Sequence, residues 1–280
     1  MIVAETDEHV RFVTQPAHAE LAGQFAERWG NDCFERPEPA TAMTIAATHH
    51  DAGWWAYDLR PHFQDGRLVD FRSMPPDVWI DLYETGIDAV VDVDAYAGLV
   101  VSLHGAGLRR RRYGLSPSWP DTPPAYAGFV DRQEAAQTRL RDDLRADGRL
   151  PAAGADCLTH LHRSGAVPDG HESRLWTNYK RLQAWDTLSL ALCMAGPPSR
   201  ASEIRAVPTG TGRADETLSL DPIGDGEFWL SPYPFDDAPL IVSVPARTVE
   251  QSSFDDEQSL LRAYYGAERE HREMALRRAD

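Results

Sequence analysis

The sequence predicts a mainly α-helical fold, a helical bundle followed by a small C-terminal antiparallel β element, so α+β overall. Three observations carry that expectation. Apolar residues recur at helical spacing from about residue 15 to 195. Gly196-Pro197-Pro198 breaks the pattern, and short alternating stretches bounded by Gly and Pro follow it. Asp255-Asp256 then caps a last helical stretch. The expected organisation is a helical unit over 1–195 and a strand-rich appendage with a C-terminal helix over 196–280, packed on the first.

Each helix has its own signals. Thr14 or Gln15 precedes Pro16, a good first helical residue, and Gly30 marks a stop, which gives a helix over 16–29. His18, Ala22, Phe25 and Trp29 share one of its faces. A second helix covers 40–51, with Met43 and His50 seven apart and so nearly eclipsed. Residues 54–76 lose the helical period and are rich in aromatics and proline, which suits a long loop that is either a pocket wall or ordinary packing. Helices resume at about 77–92 and 94–112, the latter carrying His104 on its apolar stripe and ending in Arg109-Arg110-Arg111-Arg112. That cationic run suits a helix C-terminus, so it reads first as a solvated end and second as a binder of phosphate or another acidic group. A polar helix covers about 125–147, His160 and His162 fall in a loop, and a strong helix covers 172–195. Leu218–Leu220, 227–230 and 240–244 read as short strands, and 256–278 as the final helix.

Composition bounds the function. A net charge of -16 argues against nucleic acid as a partner, and no apolar run approaches the roughly 18 residues of a membrane span. The N-terminal stretch lacks a basic start and a long apolar run, and three widely spaced cysteines fit neither a disulfide framework nor a zinc-ribbon spacing. The expectation is a cytoplasmic protein with reduced thiols that acts on a small-molecule substrate and touches neither membrane nor nucleic acid. Self-association into a homo-oligomer is left open.

The chemistry sits where polar residues interrupt apolar faces. His18, the pair His50-Asp51, His104 and Asp186 each stand where the pattern calls for core. A buried charge or imidazole is costly unless it is paired or bound to a metal. Four helices that each offer such a group point to one shared metal site. His49 lies on a face turned from His50, which suits a supporting or structural role. Trp54, Trp55, Trp176 and Tyr179 supply an apolar or base-stacking wall, or else core. Lys180 is the only lysine among 28 Lys and Arg residues. A lysine can exchange a proton where an arginine stays charged, but Lys180 is about 240° from Asp186 around an ideal helix, so a chance survivor on the surface is the competing reading.

The order His18, then His50-Asp51, then the distant Asp186 resembles the His-Asp (HD) domain superfamily of metal-dependent phosphohydrolases. The resemblance covers roughly residues 15–195. It implies a helical bundle in which those four residues bind one divalent metal, the carboxylate of Asp51 can bridge to a second, and His104 falls where two-metal members add histidines. The residues after the pair, Ala52-Gly53-Trp54-Trp55, depart from the Gly-Lys ending common in oxygenase-type relatives. Longer stretches, among them Gln15–Gly23, His50–Trp54, Ser102–Gly105, Asn178–Asp186 and Pro232–Phe235, also look similar to an uncharacterised family of bacterial and archaeal proteins.

The sequence therefore leads to a hydrolase of a small phosphoester or nucleotide. Its cofactor is one or two divalent transition metal ions, Fe, Mn, Zn or Ni, since mixed imidazole and carboxylate donors suit all four. The metal ligands are His18, His50, Asp51, His104 and Asp186; the catalytic residues are Asp51, His104 and Lys180; Trp54, Trp176 and Tyr179 line the substrate. A non-haem di-iron oxygenase on the same scaffold and a non-catalytic, metal-containing regulatory protein are the alternatives.

Overall fold

Helices pack against a curled, seven-stranded mixed sheet in the computed structural model, which describes residues 1–194, 201–250 and 253–279. In chain order the elements are β1 (Ile2–Glu5), β2 (Val10–Val13), α1 (Gln15–Arg28), α2 (Ala40–His49), β3 (His62–Gln64), β4 (Arg67–Val69), α3 (Pro76–Val93), α4 (Ala95–Arg109), α5 (Pro124–Ala146), α6 (Ala152–Ser164), α7 (Arg174–Met194), β5 (Ser202–Pro208), β6 (Asp215–Gly224), β7 (Glu227–Ser231), β8 (Leu240–Val249), α8 (Glu257–Gly266) and β9 (Arg269–Arg278).

The expected fold class, a bundle with a small β element, is corrected by this sheet. Its strand order is β1-β2-β8-β9-β7-β6-β5, so the first residues of the chain extend a sheet whose other strands lie after residue 200. It is not purely antiparallel, because β9 runs parallel to β7 while pairing antiparallel with β8. The expected final helix over 256–278 also ends early. Asp256 caps α8 through a reciprocal bond with Ser259, the helix stops at Gly266, and 269–278 is strand. The break at Gly196-Pro197-Pro198, and with it the expected boundary at 195–196, lies outside the described residues.

Local chemistry explains the elements around the site. The Thr14 hydroxyl accepts from the Ala17 amide and starts α1 just before His18. The β8 pleat buries Leu240, Val242, Val244 and Ala246 on one face, and α1 packs against that strand. Helix α7 runs between α1, α2 and α4 on one side and β1 and β5 on the other. Burial all round follows, even for Asn178, Arg181, Gln183, Asp186 and Ser189, and the last three of these belong to the site. One continuous core joins Leu21, Phe25, Leu99, Trp185 and Leu188 of the helices to Leu220, Leu230, Val242 and Leu276 of the sheet.

The stretch expected as a loop over 54–76 contains short 3-10 turns and the β3–β4 hairpin. The turn that leads into it, Ala52–Trp54, crosses α3 at a contact of two glycines. A Cβ on Gly53 would stand 1.8 Å from the Leu82 carbonyl oxygen, and one on Gly86 would stand 2.6 Å from the Gly53 amide nitrogen. Only the absence of both side chains lets the backbone after Asp51 sit this close to α3.

Candidate metal centre

Four helices bring the expected ligands to one point. His18 comes from α1, His50 and Asp51 from the end of α2, His104 from α4 and Asp186 from α7, and all five are buried to 4% exposure or less. His18 Nε2 lies 3.2 Å from His50 Nε2, 3.3 Å from Asp51 Oδ2 and 3.5 Å from Asp186 Oδ1. His50 Nε2 lies 3.7 Å from Asp51 Oδ2 and 3.5 Å from Asp186 Oδ1. Donors bound at about 2 Å around a tetrahedral cation stand roughly 3.3 Å apart. The five separations bracket that value, so these buried His and Asp groups can hold a metal ion.

The hydrogen bonds behind the ring fix which nitrogen faces inward. His50 Nδ1 meets the Ala47 carbonyl at 2.8 Å, and a carbonyl only accepts, so Nδ1 carries the proton. Ser189 donates its one hydroxyl proton to the Asp186 carbonyl at 2.9 Å and therefore accepts from His18 Nδ1 at 2.7 Å. Both Nε2 atoms are left with lone pairs aimed at one point, an arrangement that a cation or a proton must occupy. Asp51 Oδ1 is buried with no hydrogen-bond partner, a further sign that the donor set is built for a positive charge.

His104 belongs to the second of two overlapping groups, His50-His104-Asp186, alongside His18-His50-Asp51. The Gln183 carboxamide lies 2.8 Å from His104 Nδ1, and the Gln183 oxygen is buried without a partner. With the amide nitrogen against the ring, Nδ1 accepts and Nε2 keeps a proton. With the carboxamide turned end for end, Nδ1 donates and Nε2 becomes a free ligand atom.

Electrostatics agree with the donor count. Burial drives the His104 pKa down to about 4, which keeps it neutral. Burial also opposes charge on His50, but the Asp51 and Asp186 carboxylates outweigh it and lift its pKa to about 9. Both carboxyls are held below their ordinary value: burial resists, and the surrounding histidines prevail.

The remaining expected site residues are placed less uniformly. Trp54 is buried and packs edge-on against Tyr57 and Tyr83. Tyr179 is buried with its hydroxyl against Gly107 and its ring edge-on to Tyr113; Trp176 stacks on it at 5.3 Å. Lys180 is not brought to the cluster. Its ammonium meets Asp215 of β6 at 2.5 Å, because its position on α7 faces the sheet. His49 is exposed, and His160 and His162 lie on α6 rather than in a loop.

Sequence reasoning missed Tyr83, Gln183 and Ser189. Tyr83 is buried, and its phenol is pushed well above its ordinary value, first by burial and then by the charges of Asp51 and Asp186. Gln183 and Ser189 are three positions either side of Asp186, so the helical repeat that places Asp186 also places them beside it. The arginine run was expected as a solvated helix end; instead each member is engaged. Arg109 lies between the Trp79 and Tyr126 rings, 3.9 Å from each. Arg110 pairs with Glu134, Arg111 with Asp121, and Arg112 Nη2 lies 3.5 Å from Asp186 Oδ2.

Among the described residues no helix is long and apolar enough to cross a membrane. No curated protein and no solved structure matches the chain. Residues 1–251 match the family model described as protein of unknown function (DUF3891), and the chain belongs to that family.

Proposed function

We propose that the chain is a metal-dependent hydrolase of a small phosphoester or nucleotide, with an HD-type centre formed by His18, His50, Asp51 and Asp186. The observation that carries this reading is the pair of inward-facing Nε2 atoms, each with its Nδ1 already committed, set beside two carboxylates at 3.3–3.7 Å. Fe, Mn, Zn and Ni all suit such a donor set. A divalent ion held there supplies Lewis acidity toward a phosphoryl oxygen and lowers the pKa of a water toward neutrality.

The chain's own residues do the rest. Asp51 and Asp186 balance positive charge, while His18 and His50 contribute neutral nitrogen donors. Burial of the cluster excludes bulk water and strengthens every charge interaction inside it. Tyr83 keeps its proton at neutral pH and can donate it toward Asp51 or a substrate oxygen. Such a closed site favours a small substrate over a polymer.

Elemental analysis of protein purified without chelators, followed by a panel of phosphomonoesters, phosphodiesters and nucleotides, tests the proposal. One or two equivalents of a transition metal with turnover of a phosphoester is the expected result. Metal-free protein, or metal-loaded protein inert toward the whole panel, overturns it.

A further inference from the structure

Beside the cluster stands a turn that the metal reading leaves unused. Exposure rises outward from the centre: His18 and His50 are at most 2% exposed, the Asp186 side chain 6% and the Arg112 side chain 17%. Arg112 is thus the most exposed of these charged groups and stands on the outer side of the cluster. Its backbone is held in an expensive conformation, since Arg111, Arg112 and Tyr113 all have positive φ, at 51°, 48° and 51°. Strain of this kind persists where the surroundings demand it. The turn buries Tyr113 against Tyr179 and swings Arg112 back over α7, where Nη1 donates to Thr187 Oγ1 at 3.2 Å. The Trp119 ring, 38% exposed, covers the guanidinium at 4.9 Å. Arg112 Nε is buried with no hydrogen-bond partner. Arg109, Arg110 and Arg111 are spent on aromatic rings, Glu134 and Asp121, so Arg112 is the member of the run that faces the centre.

We propose that Arg112 is the anion-recognition residue of this site and that the substrate presents a phosphate group to it. A guanidinium fits a phosphate through paired N–H donors, and the Arg112 contact to Asp186 is long enough to give way to a closer acceptor. This rests on the phosphohydrolase reading and narrows it to substrates whose phosphate reaches the cluster from the Trp119 side.

The test is calorimetric binding of inorganic phosphate to the protein as purified, with Arg112→Gly and Arg112→Lys beside it, and metal content and Tm measured on all three. Glycine suits φ 48°, so Arg112→Gly is expected to fold with Tm unchanged or raised and with wild-type metal content. Its phosphate affinity is expected to fall by about tenfold or more, with Arg112→Lys between the two. That loss sustains the anion site even if no phosphoester is turned over, in which case the hydrolase reading alone falls. Phosphate binding by Arg112→Gly within about twofold of wild type, or no phosphate binding by wild type, overturns the inference while leaving any observed hydrolysis intact. Loss of metal from Arg112→Gly also overturns it, because Arg112 would then serve only to hold Asp186.

Discussion

Ser189 Oγ accepts a hydrogen bond from His18 Nδ1 at 2.7 Å while donating to the Asp186 carbonyl at 2.9 Å. One hydroxyl thus sets the tautomer of one ligand and ties it to the helix turn that carries another. Ser189→Ala removes the acceptor and lets the imidazole rotate or change tautomer. Outer partners of metal ligands are worth about 10–100-fold in affinity, so the variant is expected to lose metal in that range to a competing chelator. Its circular dichroism should match wild type. Undiminished metal affinity would mean that packing alone orients His18.

Asp51 is expected to matter more than His104. It is the carboxylate of the pair, lies 3.3 Å from His18 Nε2, and carries an unpartnered Oδ1. Asp51→Asn removes charge that the cation needs and should lower metal retention by more than about a hundredfold. His104→Ala removes a neutral group and should cost less, both in metal and in turnover. Metal stoichiometry on the two purified variants decides the order; full occupancy in Asp51→Asn would make the pair structural and remove the basis for an enzyme.

The site was far more legible in the sequence than the fold. His18, His50, Asp51, His104 and Asp186 stood out because a titratable group on an apolar helical face breaks a strong pattern. The sheet was underestimated for an equally physical reason. Strands β1 and β2 have four residues each, too few for alternation to register. Strand β9 is central yet reads Arg-Glu-His-Arg-Glu-Met-Ala-Leu-Arg-Arg, with only Met274 and Leu276 buried, so its charged face mimics a solvated helix. Tyr83 was hidden because an aromatic on an apolar face is what core also looks like.

Lys180 is expected to be dispensable for chemistry. Its partner is Asp215, and the pair joins α7 to the sheet. Lys180→Met keeps most of the aliphatic stem but removes the ammonium that pairs with Asp215 and lies over Trp176; it should leave metal content and turnover within about twofold, with a stability loss of about 1 kcal/mol. A loss of activity at intact metal content would return Lys180 to the site.

The close approach of Gly53 to α3 gives a structural prediction. A methyl group at Gly53 meets backbone, the Leu82 carbonyl oxygen at 1.8 Å, which no rotamer change can relieve. Gly53→Ala is expected to cost about 3 kcal/mol or more by thermal or denaturant unfolding, and to displace Asp51 enough to weaken metal binding. A variant as stable as wild type would show that the segment after Asp51 does not need to pack on α3.

The metal-free protein should have a distinctive pH dependence. His50 titrates at about 9, above its ordinary 6.5, because Asp51 and Asp186 outweigh burial. A raised folded-state pKa adds stability that is fully present below pH 6.5 and is lost as pH rises through about 9; a shift of this size is worth on the order of 3 kcal/mol. Asp51 and Asp186 are shifted the opposite way, so their contribution is present above the ordinary carboxyl value of 3.8 and lost as pH falls through their depressed folded values. Chelator-treated protein should accordingly be most stable on the acidic side of neutrality and lose Tm between about pH 7 and 9. A bound cation takes over the role of the His50 proton. Metal-loaded protein should therefore hold its Tm across that interval and weaken instead below about pH 6.5, where protons compete for the imidazoles. Thermal melts across the pH range, with and without chelator, read both curves. Parallel curves would mean that His50 does not exchange a proton for a metal.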